Sequence, residues 1–157
     1  MAYQKLQVER ALEVIASDTI NIPNVAGPVL SGTTSQVAPL ANTLVDNTQD
    51  FTTIKGLIGS IVYLTGGVAT VTGILNSASL RLSDAVADTG STESYIIYGD
   101  ANTGCVLYSG AGGDIKVLTA GNDEVTFTGV AAGAFIPVQV KRVFATPTPP
   151  TGIVALW

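Results

Sequence analysis

Cys105 to Thr128 reads CVLYSGAGGDIKVLTAGNDEVTFT, and its punctuation decides the fold class. Cys105 to Tyr108 is a short apolar run that ends at the glycine-rich stretch Ser109 to Gly113. Asp114 to Thr119 (DIKVLT) follows, and a turn between two such runs predicts a hairpin in which the second pairs with the first. Ala120 to Asp123 is a second turn. Glu124 to Thr128 (EVTFT) then alternates, with Val125 and Phe127 on one face. That alternation has a period of two, the period of a pleated strand.

The pattern continues toward the C-terminus. Gly129 to Gly133 is a loop, and Ala134 to Phe144 (AFIPVQVKRVF) is a strand with Val138, Val140 and Arg142 on one face. Pro137 marks it as an edge. Pro147, Pro149 and Pro150 form a stiff break, and Ile153 to Trp157 (IVALW) is the final strand. Phe135, Phe144 and Trp157 are the large aromatics here, and core packing is their first reading. Trp157, at a chain end, also fits an interface.

A second block lies upstream. Leu44-Val45 leads into the polar turn Asp46 to Asp50 and then Phe51. GSIVYL (59–64), a Gly66-Gly67 turn, VATVTGIL (68–75), an Asn76-Ser77 turn, SLRL (79–82) and SYIIY (94–98) predict a meander or small barrel of four or five strands. Asn24 to Leu40 and Gly99 to Gly104 read as linkers on their glycine, proline and small polar content. At the N-terminus, Lys5 to Ala16 is expected to be extended, with Leu6, Val8, Leu12 and Val14 as its apolar positions. A helix with Val8, Leu12 and Ile15 on one face is the alternative. Ser17-Asp18 starts a turn, and Thr19 to Pro23 is a short β segment ended by proline.

The expected fold is therefore all-β. A small sandwich or barrel is formed by residues 1–30 together with 104–157, and a small β-barrel or meander, residues 41–99, is inserted between them.

Composition excludes more than it assigns. Only 12% of residues are charged and 46% are hydrophobic, against roughly 25% charged in an average domain. So little charge points to surface buried against partners. The net charge of −5 and scattered basic residues argue against nucleic acid. No apolar run approaches the ~20 residues that span a bilayer, so no membrane partner is expected. Met1 to Glu13 is mixed and charged, unlike a secretory signal. There is no histidine, which removes the commonest proton-transfer group and nitrogen ligand. The single cysteine, Cys105, can form neither an intrachain disulfide nor a Cys-based zinc site.

No motif carries chemistry. Gly110 to Lys116 lacks the Gly-Lys-Ser/Thr and following helix of a phosphate loop. Asp46 to Asp50 and Asn122 to Glu124 could offer oxygen ligands to calcium but read better as solvated turns. The acids show no facing pair of the kind used in glycoside hydrolysis. Cys105 has no histidine to activate it. Tyr95, Tyr98 and Tyr108 could form a glycan platform, although their strand setting favours packing. No enzyme, cofactor or metal site is expected.

Four runs then form a recognisable set. They are L-Y-x-G-x-G-G-x-(I/L)-x-V at Leu107 to Val117, V-T-F-x-x-V-x-A-G at Val125 to Gly133, P-V-x-V-x-R-V at Pro137 to Val143, and the IVALW end. With S-D-T-x-N-I-P at Ser17 to Pro23, they cover roughly half the chain, discontinuously. The set resembles a β module of small structural proteins of tailed bacteriophages, marine phages and cyanophages among them. It is also similar to head-spike base proteins of phage-like gene transfer agents. The middle block, Leu44 to Tyr98, looks like another phage-associated β module. Pro147 to Pro150 departs from the Gly/Thr-rich turn expected there.

The resemblance implies a virion component, with a capsid decoration or cement protein as the leading expectation. Its partners would be the major capsid protein or another virion protein, and further copies of itself as a trimer or pentamer. A tail, baseplate or fibre-attachment protein and a host-glycan-binding module are the alternatives. The expected assembly interface is the N-terminal arm with the C-terminal aromatic: Leu6, Val8, Leu12, Val14 and Trp157. The arm either docks on a partner or packs on its own domain.

Overall fold

A computed structural model describes residues 8–24, 29–35, 42–85 and 92–157. Among them the chain is all-β, with twelve strands and one 3-10 turn. It divides into two compact units, Met1–Ile22 with Asn102–Trp157, and Pro23–Ala101.

The first unit holds β1 (Ala11–Glu13), β8 (Cys105–Ser109), β9 (Gly113–Thr119), β10 (Glu124–Val130), β11 (Ala134–Val143) and β12 (Ile153–Leu156). They form one antiparallel sheet in the order β1-β12-β8-β11-β9-β10. The predicted β8–β9 hairpin is not there: β11 lies between them, pairing with β8 through Ala134 to Val140 and with β9 through Val140 to Val143. In a flat sheet this would hold Ser109 and Gly113 about 40 Å apart, whereas the three residues joining them reach about 14 Å. β11 must therefore bend, and both of its ladders show a register shift at Val140. Bulges at such a corner let one strand pass from one layer to the other. Leu107, Ile115, Val117, Ile136, Val140, Val143, Ile153 and Ala155 then meet in one core.

The bulges also break the face predicted for Val138, Val140 and Arg142. Val140 is buried, but the next buried position is Val143, so Arg142 leaves the core face. At the β8 end the backbones nearly touch. A Cβ on Gly110 would lie 2.7 Å from the Gly152 carbonyl oxygen, which accepts the Gly110 N–H. Only glycine fits that approach.

The Ser17 to Pro23 run forms no strand beyond a single bridge between Pro23 and Ala101. Its side chains instead tie the N-terminal segment to the region after β11. Ser17 Oγ accepts the N–H groups of Thr19 and Ile20. Asp18 accepts from both the N–H (2.9 Å) and the hydroxyl (2.8 Å) of Thr146, and these bonds hold its carboxyl below the usual range. Arg142 donates to Asn21 Oδ1 at 2.9 Å and to the Asp18 carbonyl at 2.8 Å. Replacing Arg142 with alanine is expected to cost about 1–2 kcal/mol, through those bonds and its stacking on Phe144. Trp157, the one tryptophan, packs against this core, so its fluorescence reads the unit's denaturation midpoint. An unchanged midpoint would show that the clamp is decorative.

The second unit holds β2 (Leu30–Thr33), β3 (Thr43–Val45), β4 (Ile61–Leu64), β5 (Gly67–Asn76), β6 (Ser79–Leu82) and β7 (Ser94–Ile97). The sheet order is β2-β7-β4-β5-β6-β3. β2 lies inside the stretch read as a linker, and this unit takes residues from Pro23 on that were assigned to the terminal module. β5 pairs with β4 through Gly67 to Thr70 and with β6 through Val71 to Asn76. The sheet curls until its ends meet: Ser35, just after β2, donates its N–H to Val45 of β3 at 2.8 Å. Phe51, on the 3-10 turn Phe51–Thr53, is wholly buried in a core with Leu44, Leu80, Tyr95 and Ile97.

Candidate assembly surfaces

The expected interface residues part company in the structure. Leu6 lies outside the described residues. Leu12 is half-buried in β1, opposite Ala155, and Val14 and Trp157 pack against the core of their own unit. Glu9 and Arg10 also donate to the Trp157 carbonyl. The described part of the arm thus includes an edge strand of its own sheet, and of the expected interface residues described only Val8, 41% exposed, is left exposed.

Two other features of the first unit expose apolar surface. The first is the outer face of the β1-β12-β8-β11 part of the sheet. Phe135 stands opposite Tyr108, Tyr108 opposite Val154, and Val154 opposite Glu13, which makes one rung across four strands. The Phe135 and Tyr108 rings meet edge to face at 5.4 Å. Phe135 is 56% exposed, which overturns its reading as a core aromatic. Pro137 follows it on the same face, exposed, and Leu156 is half-buried beside Val154. The signal was present in the sequence. Ile136 and Val140 point inward, so strict alternation places Phe135 outward.

The second feature is β10. Five of its seven residues are exposed, and the other two, Phe127 and Val130, are only partly covered by the core. Val125 shares the core-facing side of the sheet with Phe127 yet is 37% exposed. Among the described residues no strand pairs with the outer edge of β10.

The second unit buries one carboxylate, Asp46, among hydrogen-bond donors. Asp46, read as part of a solvated turn, is fully buried. One of its oxygens accepts the Tyr95 hydroxyl at 2.7 Å, and the other accepts the N–H (2.9 Å) and hydroxyl (2.6 Å) of Thr48. Burial works against the charge, but these bonds outweigh it and hold the Asp46 carboxyl below its ordinary value. Burial and the bond to Asp46 push the Tyr95 phenol far up. Gly32 of β2 lies against this pair, where a Cβ would come within 2.6 Å of both the Asp46 carboxylate and the Tyr95 hydroxyl.

These placements bear on the chemical alternatives. Tyr95 is in the core and Tyr98 is buried edge to face against Tyr63, so neither presents a ring for a sugar. Asp50 caps the 3-10 turn through the Thr52 N–H. Cys105 is buried, its thiol is pushed up to about 12 by burial, and its Sγ lies 3.2 Å from the Val140 carbonyl oxygen. A thiol in that setting is a small core group. Among the described residues no three Asp, Glu or Cys side chains converge on a metal position. Comparison with protein families, with curated proteins and with solved structures returned no match.

Proposed function

We propose that the chain is a structural component of a tailed bacteriophage particle, a decoration or cement protein bound to the major capsid protein on the head surface. The observation that carries this reading is Phe135, an aromatic left 56% exposed on an apolar sheet face, beside Tyr108 and Val154. Exposed aromatics on an ordered face are the usual anchors of protein interfaces. The resemblance of four runs in this same unit to phage structural modules supplies the setting. The low charge supports it, since joints between capsid subunits are covered by burying area. Many copies of a modest contact add up over a shell.

The test is to mix the purified chain with heads that lack it, and separately with isolated tails, and to image both by negative stain. Regular occupancy of heads is the expected result. Occupancy of tails alone would overturn the head assignment and move the protein to the baseplate or fibre attachment. Binding to neither would overturn the virion reading.

A further inference from the structure

We infer that β10 pairs with β10 of a second copy, antiparallel and centred on Thr126, so that two first units share one continuous sheet. This inference is independent of where, or whether, the protein sits on a particle.

The argument starts from which groups face the open edge. The turn between β9 and β10 has the Thr119 N–H bonded to the Asp123 carbonyl and the Asn122 N–H bonded to the Thr119 carbonyl. Thr119 and Asp123 are therefore a hydrogen-bonded pair. Such pairs alternate along an antiparallel ladder, so Val125 with Val117 and Phe127 with Ile115 are the next two. The N–H and C=O groups of Glu124, Thr126 and Thr128 then point away from β9, to the edge no described strand covers.

An antiparallel copy centred on Thr126 answers these groups one for one. Thr126 faces Thr126 of the second copy, and Glu124 faces Thr128, which gives about six main-chain hydrogen bonds. On the core-facing side Val125 falls opposite Phe127, twice over by symmetry. These are the close, non-hydrogen-bonded positions where an aromatic and a β-branched residue interact best. On the other side Thr126 meets Thr126 and each glutamate meets a threonine. The two Glu124 side chains end up about 14 Å apart along the strands. Each also has a cation of its own, Lys116, at 2.9 Å.

No like charges oppose, and the exposed Val125 and half-covered Phe127 gain partners. Such a strand is a pairing template unless something blunts it. β10 has no lysine or proline, and its one irregularity lies beyond Phe127, toward the C-terminal end. A self-complementary patch used identically by both copies is what a two-fold contact requires.

The experiment is sedimentation of the full chain over a dilution series, beside three variants at Thr126. The wild type is expected to show a monomer–dimer equilibrium. Thr126→Pro removes a donor that faces the open edge, so β10 stays paired with β9 while self-association weakens at least tenfold. Thr126→Lys and Thr126→Glu each place like charges face to face and are expected to be monomers. An equimolar mixture of the two should recover the dimer. Unchanged dissociation in Thr126→Pro, or failure of the mixed charges to recover the dimer, would overturn the pairing. So would a wild type that stays monomeric throughout the series. Near-wild-type Trp157 emission in each variant shows that its unit is folded, so a lost dimer is not an unfolded chain.

Discussion

Replacing Tyr95 with phenylalanine is expected to destabilise the Pro23–Ala101 unit by about 3 kcal/mol, the loss of a hydrogen bond to a buried charge. The ring volume is kept, so no cavity adds to the cost. What changes is Asp46: its Oδ2 atom loses the 2.7 Å bond from Tyr95 and stays in a site with no exposure. Amide hydrogen exchange in β3 and β7, followed by mass spectrometry, should speed up roughly a hundredfold if these amides exchange through unfolding of the unit. Trp157 emission should hardly change, since that residue packs on the other unit's core. Slow exchange preserved in the variant would show that the Asp46 charge is solvated after all.

The same pair sets a pH window. The Asp46 carboxyl is depressed from 3.8 in the folded chain, so its contribution is present above that value and is lost as pH falls through the folded pKa. The Tyr95 phenol is raised from 10.0, so its contribution is present below that value and declines as pH climbs above it. Stability of this unit is thus expected to be flat between about 4 and 10 and to fall on either side. In Tyr95→Phe the carboxylate keeps only the Thr48 bonds. Its pKa rises, and the acid transition moves to higher pH.

The second large effect concerns binding. Phe135→Asp is expected to weaken attachment to heads by at least about 2 kcal/mol, roughly thirtyfold, as for a central aromatic anchor. It should change folding stability by no more than about 0.5 kcal/mol, because the side chain is largely exposed and, among the described aromatics, its ring meets only Tyr108. Cosedimentation of wild type and variant with heads lacking the protein reads the first quantity, and the Trp157 denaturation midpoint reads the second. Equal binding of the two would remove the outer sheet face from the contact.

Local signals in the sequence located most strands, because alternation and turn residues are local. SYIIY reads as a strand, and the period of two puts Tyr95 and Ile97 on one face, both in the core. What stayed hidden was non-local. Nothing between Tyr108 and Asp114 says that β11, more than twenty residues on, will come between β8 and β9. The Asp46–Tyr95 bond joins residues 49 apart, and Asp46 alone looks like any turn aspartate. β2 was missed because LSGT has one large apolar residue, and its Gly32 is needed for close approach to the Tyr95–Asp46 pair. The interface was sought at the chain ends, where exposure is the default expectation, but pairing of β12 with β1 takes Leu12 into the sheet, and Val14 and Trp157 pack on the core. The outward apolar residues lie within strands, at Phe135 in β11 and along β10.

The most direct measurement of the cement role is the temperature at which heads lacking this protein release their DNA, with and without saturating amounts of the purified chain. A rise that saturates with occupancy is the predicted result. Full occupancy with no change in the release temperature would contradict it.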